Sequence, residues 1–140
     1  MELNIDKNKK ALSEISDAFG MFSDSLDIIS YLIDIGKKSH NMEEEDKVDK
    51  NSISGCTSKA WMIISKLSNG TYSIRTDSDS HLVSGLLYLL SLSVNYRDSK
   101  FINDFDVLSL LNDIGLNNNI TSQRTNGLLS ALEMVKERIN

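Results

Sequence analysis

A chain of 140 residues and 15.7 kDa is sized for one domain, and its 40% hydrophobic content supports a packed core and excludes intrinsic disorder. The formal net charge of -5, from 15 scattered Lys and Arg against 20 Asp and Glu, argues against a nucleic-acid surface, which needs clustered cations. A single cysteine excludes an intrachain disulfide and any site built from several thiolates, and it suits a reducing compartment.

The opening residues, Met1 to Asp6, lack a basic stretch leading into a long apolar run, and no segment reaches the length of a membrane span. A soluble, cytoplasmic protein is therefore expected. Lys7 to about Phe22 reads as a helix, with Leu12, Ile15, Ala18, Phe19 and Phe22 on one face and Gly20 weakening its end. A second helix is predicted from Ser25 to Lys38, with Leu26, Ile29, Leu32, Ile33 and Gly36 as its inward stripe and Lys37 and Lys38 at the favourable end of the dipole. The two are expected to form a hairpin.

Ser39 to Ser54 is polar and carries the acidic run Glu43-Glu44-Glu45-Asp46. Connections of that length are often functional or mobile, the alternative being a solvated excursion with one short helical turn at Met42 to Asp46. Lys59 to Leu67 then alternates as a strand, with Trp61, Ile63 and Leu67 on one face and Ala60, Met62 and Ile64 on the other, suiting a strand covered on both sides. Ser68-Asn69-Gly70 is a hairpin turn signal, and Thr71 to Thr76 is the returning strand. Asp77-Ser-Asp-Ser80 ends that strand and supplies caps, so Asp77 and Asp79 are assigned to capping and solvation.

His81 to about Tyr96 is apolar on nearly every side, the pattern of a helix buried all round, and its Ser84 and Gly85 permit close approach of a neighbour. The remainder is helical and short-looped, with Phe101 to Phe105 as a brief turn, then Val107 to Ile114, and Gly115 as a stop. A last helix, capped by Thr121 or Ser122, runs from Arg124 to Ile139 with Leu128, Leu129, Leu132, Val135 and Ile139 inward. Arg124 falls in the first turn, the unfavourable end of the dipole for a cation. It is either an ordinary surface arginine or one held there for a purpose. The fold class expected is α+β, a single domain over residues 1–140 with helices packed against a small antiparallel sheet.

Little conventional chemistry is on offer. His40 and His81 are far apart in sequence and form no His-Glu-x-x-His pair, so no metal site is expected, and no phosphate-binding or dinucleotide fingerprint is present. Cys56 is the one strong nucleophile candidate. Free cysteines are commonly small buried hydrophobes, yet this one follows Gly55 on a loop entering a strand. A thiolate there can attack an electrophilic sulfur, hold it as a persulfide and pass it to a thiol on another protein.

Asn51-Ser-Ile-Ser-Gly-Cys-Thr-Ser-Lys-Ala-Trp61 resembles the Gly-Cys-x-Ser-x-Val-Trp segment of the SufE/CsdE family of sulfur-acceptor proteins. The likeness continues through Asp77-Ser-Asp-Ser-His-Leu-Val-Ser-Gly-Leu86 and Ser122-Gln-Arg-Thr-Asn-Gly-Leu128, covering about the last two thirds of the chain. Ala60 replaces the usual Val, and Ser122 stands where many members have a proline.

The resemblance implies that Cys56 accepts persulfide sulfur from a pyridoxal-phosphate (PLP)-dependent cysteine desulfurase, that the chain stimulates this enzyme, and that sulfur passes on to iron-sulfur cluster scaffold proteins. The pyridoxal cofactor belongs to the desulfurase, so the chain itself is expected to hold none. Gly55, Ser58 and Trp61 are implied to shape the loop, with Asp79 and Arg124 near it. The acidic run from Glu43 is a candidate for the desulfurase contact, and the thiol is expected to be tucked away until the partner arrives. The alternative is a non-catalytic adaptor that regulates a desulfurase while Cys56 is structural. Neither a membrane nor a nucleic acid is expected as partner, and a homodimer is left open.

Overall fold

The computed structural model describes residues 2–140, so Met1, the first residue of the expected domain, lies outside the described residues. The described residues form six α-helices and one β-hairpin: α1 (Glu2–Met21), α2 (Ser25–Lys38), β1 (Ala60–Lys66), β2 (Tyr72–Ser78), α3 (His81–Val94), α4 (Ser99–Asp104), α5 (Val107–Asp113) and α6 (Ser122–Ile139). This is the α+β arrangement expected. Helix α3 is its axis, with 11 of its 14 residues buried. It packs against α1, α2, α6 and β2, which is how a helix without a polar stripe is kept from water. Ser80 caps it by accepting the Val83 N–H at 3.3 Å.

The α2–α3 contact is backbone against backbone. A Cβ on Gly36 would overlap the His81 carbonyl, and one on Gly85 would overlap the Leu32 carbonyl. This approach corrects the expected stripe of α2. Ile28, Leu32 and Gly36 are the buried positions, Ile29 and Ile33 are half-buried, and Leu26 is 72% exposed. The apolar residues of α2 allow two neighbouring phases, and the glycine contact selects the one that faces Gly36 inward. On α1, which starts earlier than expected, Ile15 and Phe19 are buried and Phe19 meets Tyr31 edge to face.

Strands β1 and β2 pair antiparallel from Ala60–Ser78 to Lys66–Tyr72 across the predicted Asn-Gly turn, where Gly70 has φ 83°. Both outer edges are closed by short segments rather than further strands. The Ile53 N–H donates to Ala60 O at 2.9 Å beside β1; beside β2, Tyr72 N–H donates to Arg97 O and Tyr96 N–H to Tyr72 O. One face of the hairpin, with Ala60, Met62, Tyr72 and Ile74, joins the core.

The other face is covered at its Trp61–Asp77 end by the polar connection, which carries the expected helical turn but packs on the hairpin there instead of being solvated along its whole length. Met42 is buried, Lys47 Nζ sits 5.4 Å from the Trp61 ring centroid, and Arg75 donates to Asn41 O at 3.4 Å. Two 3-10 turns, Glu44–Asp46 and Asp49–Asn51, shape the cover. The assignment of Asp77 to capping and solvation is also corrected. Asp77 lies within β2 and is 1% exposed, with His40 against one carboxylate oxygen and Lys47 Nζ 3.6 Å from the other. Strand β2 runs two residues further than its apolar alternation, with His40 hydrogen-bonded to Asp77 Oδ1 and the Lys47 charge facing Oδ2, which has no hydrogen-bond partner among the described residues.

Gly36→Ala should destabilise the fold by about 3 kcal/mol, the upper part of the overpacking range, because backbone has to yield. Gly20→Ala, with nothing within 4 Å of the added methyl, should instead stabilise by up to about 1 kcal/mol. Urea unfolding of the two variants beside the parent measures both signs.

Candidate functional site

The loop carrying Cys56 is pinned at its stems. On one side Ser52 bridges Trp61 and Ile53 bonds Ala60. On the other, Lys59 O accepts the Asp79 N–H at 3.0 Å and the Ser78 hydroxyl at 2.7 Å. Helix α6 forms the floor. A Cβ on Gly55 would stand 2.6 Å from Ser130 Oγ, and Gly55 has φ 84°, so the residue before the cysteine combines a left-handed backbone with close approach to α6. Arg138 Nη2 donates to Lys50 O at 2.6 Å and ties the incoming chain to the same helix.

This geometry turns Cys56 into a crevice between α3 and α6. Val83, Leu86 and Leu87 line it from α3, and Gln123, Arg124, Gly127 and Leu128 from α6. The cavity is about 20 Å3, room for one water-sized group. Gly127 matters here because a methyl in its place would lie 3.4 Å from the Cys56 sulfur. The thiol is half-buried, while Ser54, Gly55 and Thr57 around it are exposed.

Burial pushes the Cys56 thiol pKa up, and the Arg124 guanidinium pulls it part of the way back. The resting group is accordingly a neutral thiol beside a cation. Among the described residues Arg124 Nη1 is buried and has no hydrogen-bond partner. Its backbone is fixed by the Thr121 cap, whose hydroxyl accepts the Arg124 N–H at 3.2 Å. An orphaned guanidinium nitrogen at the wall of an apolar crevice favours negative charge on a sulfur placed there.

Of the residues singled out in the sequence, Cys56, Gly55 and Arg124 come together at the crevice. Asp79 is exposed and reaches the loop through its backbone bond to Lys59. Trp61 is buried under Lys47 on the outer face of the hairpin, so it supports the loop stem without lining the crevice. Ser58 is half-buried within the loop. The sequence reading gave Gly127, Gln123 and the α3 wall no place in the site, although most of them lie in the two downstream motifs. Gly127 could have been noticed as a glycine one turn after Arg124 in a helix that otherwise has no need of one.

Arg124→Gln should raise the Cys56 pKa further by removing the compensating charge. Alkylation by iodoacetamide at fixed pH should slow, and the inflection of the rate–pH profile should move upward. An unchanged profile would show that Arg124 has no electrostatic hold on the thiol.

Comparison with known proteins identifies the family. The SufE family model, described as an Fe-S metabolism associated domain, matches residues 13–139. An uncharacterized SufE-like protein of Rhizobium etli is 31% identical over 130 residues, covering 91% of this chain and 88% of that protein. A second uncharacterized SufE-like protein, from Rhizobium meliloti, is 29% identical over 129 residues, with 90% and 92% covered. In solved structures the fold resembles the solution structure of a hypothetical protein from Thermus thermophilus, with a TM-score of 0.67 at 15% identity over 95% of this chain and 93% of that one. A family match over nearly the whole chain, cysteine loop and crevice included, makes this protein a member of the SufE family of iron-sulfur metabolism.

Proposed function

We propose that this chain is a sulfur acceptor: Cys56 takes persulfide sulfur from a pyridoxal-phosphate-dependent cysteine desulfurase, the chain stimulates that enzyme, and the sulfur goes on to an iron-sulfur cluster scaffold. The observation that supports this most is the lone thiol beside a one-atom cavity with an unpartnered Arg124 nitrogen at its wall. In the transfer, the Cys56 thiol gives its proton to solvent as the loop tip opens and burial is relieved, and the thiolate attacks the outer sulfur of the donor persulfide. One S–S bond forms as the donor's breaks, and the donor cysteine leaves as thiolate. The outer sulfur on Cys56 then fits the cavity, where apolar walls limit attack by solvent thiols and oxidants, and Arg124 offsets its negative charge. Onward transfer repeats the exchange with the recipient's thiolate as nucleophile.

Half-burial of the thiol implies that the loop tip shifts when the donor arrives, and the exposed residues on either side of Cys56 leave it room to do so. The exposed carboxylates of Glu43, Glu44 and Glu45 lie on the cover over the hairpin and offer a complementary surface to a basic patch on the desulfurase.

With desulfurase and cysteine, mass spectrometry should find Cys56 heavier by roughly 32 Da, one sulfur, and Cys56→Ser should abolish this while retaining the parent circular dichroism. Stimulation of the desulfurase by an unmodified chain, and equally by Cys56→Ser, would instead establish the adaptor reading. Gly127→Ala should fold normally, since its methyl meets the sulfur at contact distance, yet accumulate persulfide roughly tenfold more slowly by occupying the space of the outer sulfur. Single-turnover loading of Cys56 measures that rate.

A further inference from the structure

The only two histidines of the chain, 41 residues apart, meet at the junction of α2 and α3. His40 Nε2 and His81 Nδ1 are 3.2 Å apart, with ring centroids at 5.3 Å and planes inclined by 67°. The other nitrogen of His40, Nδ1, lies 2.5 Å from Asp77 Oδ1. That carboxylate is buried and is held in turn by the Ser78 N–H at 2.8 Å and the Ser84 hydroxyl at 3.4 Å. The buried carboxylate accepts from His40 Nδ1–H, which leaves His40 Nε2 facing His81 Nδ1.

From this arrangement we infer a two-histidine site for a borderline divalent transition metal, zinc or copper, at His40 Nε2 and His81 Nδ1. Two imidazole nitrogens bound at about 2.0–2.1 Å to one tetrahedral ion stand roughly 3.3 Å apart, close to the separation already present. A carboxylate on the far nitrogen of a ligating histidine is the usual support that fixes ring orientation and raises basicity. Imidazole suits zinc and copper among the available ions.

The pair is also held ready by the backbone. His40 follows α2 by two residues, His81 opens α3, and Gly36 packs directly on the His81 carbonyl. Metal binding requires both facing nitrogens to present lone pairs, so the His81 proton sits on Nε2 and each ring turns by about 35° from the nitrogen–nitrogen line toward the ion. Both rings are exposed. No third His, Cys, Asp or Glu among the described residues completes the set, which leaves the remaining positions to water or to a ligand brought by a partner. Lys47 beside Asp77 and the positive end of α3 oppose a cation, so binding weaker than at a three-ligand site is expected.

The inference is independent of sulfur transfer and is tested on tag-free Cys56→Ser protein, which removes the competing thiolate. Titration with Zn2+ and with Cu2+ should show one equivalent bound, and the Cu2+ electron paramagnetic resonance spectrum should carry coupling to two imidazole nitrogens. Adding His81→Gln or His40→Gln should weaken binding at least tenfold and leave coupling to one nitrogen. Asp77→Asn, if folded by circular dichroism, should lose 10- to 100-fold in affinity while retaining both couplings. Absence of stoichiometric binding in Cys56→Ser, or binding unchanged in His81→Gln, would overturn the site.

Discussion

Two glycines that let α2 and α3 touch along their backbones set most of the architecture of this molecule. Gly36 against His81 and Gly85 against Leu32 leave no space for a side chain between the helices. The rotation of α2 is thereby fixed, and α3 is covered along one side. Its remaining sides are left to the hairpin, α1 and α6. The same contact fixes the end of α2, so the chain that leaves it passes over the outer face of the hairpin, with His40 and Lys47 above Asp77.

The wall that α3 presents to α6 gives the thiol its character. Val83, Leu86 and Leu87 face Gly127 and Leu128 across a space too small for bulk solvent, and desolvation there favours the neutral thiol. Arg124 acts against that tendency from the first turn of α6. In the proposed sulfur transfer, these opposed effects keep the thiol quiet when unloaded and tolerate negative charge when it carries sulfur. The stems of the loop are hydrogen-bonded and its tip is exposed, so rigidity and access are separated by only a few residues.

The polar connection is the least legible part of the sequence. Its acidic composition gives no sign that Met42 and Lys47 will lie on Trp61 and Asp77, because such contacts depend on which hairpin face the helices leave uncovered. Asp77 misleads for the same reason: a carboxylate in a Ser/Asp run looks solvated until a lysine and a histidine from another segment arrive. In α2 the bounds Ser25–Lys38 are readable from the apolar spacing and the terminal lysines, whereas Leu26, expected inside, is exposed. Periodicity defines an apolar side of a helix to within about one residue, and only the partner decides the rest.

Local chemistry is enough to determine the elements and the candidate nucleophile. Apolarity on all sides predicts the central helix, Asn69-Gly70 the hairpin, and the Gly-Cys-x-Ser segment with its two downstream motifs the family and Cys56. These features are carried by residues adjacent in the chain. The tertiary structure alone decides what surrounds them: the crevice beside the sulfur, the unpartnered nitrogen of Arg124, the burial of Asp77 and the meeting of His40 with His81. Each requires groups from segments tens of residues apart to share one low-dielectric volume or one hydrogen bond, and that proximity is a property of packing.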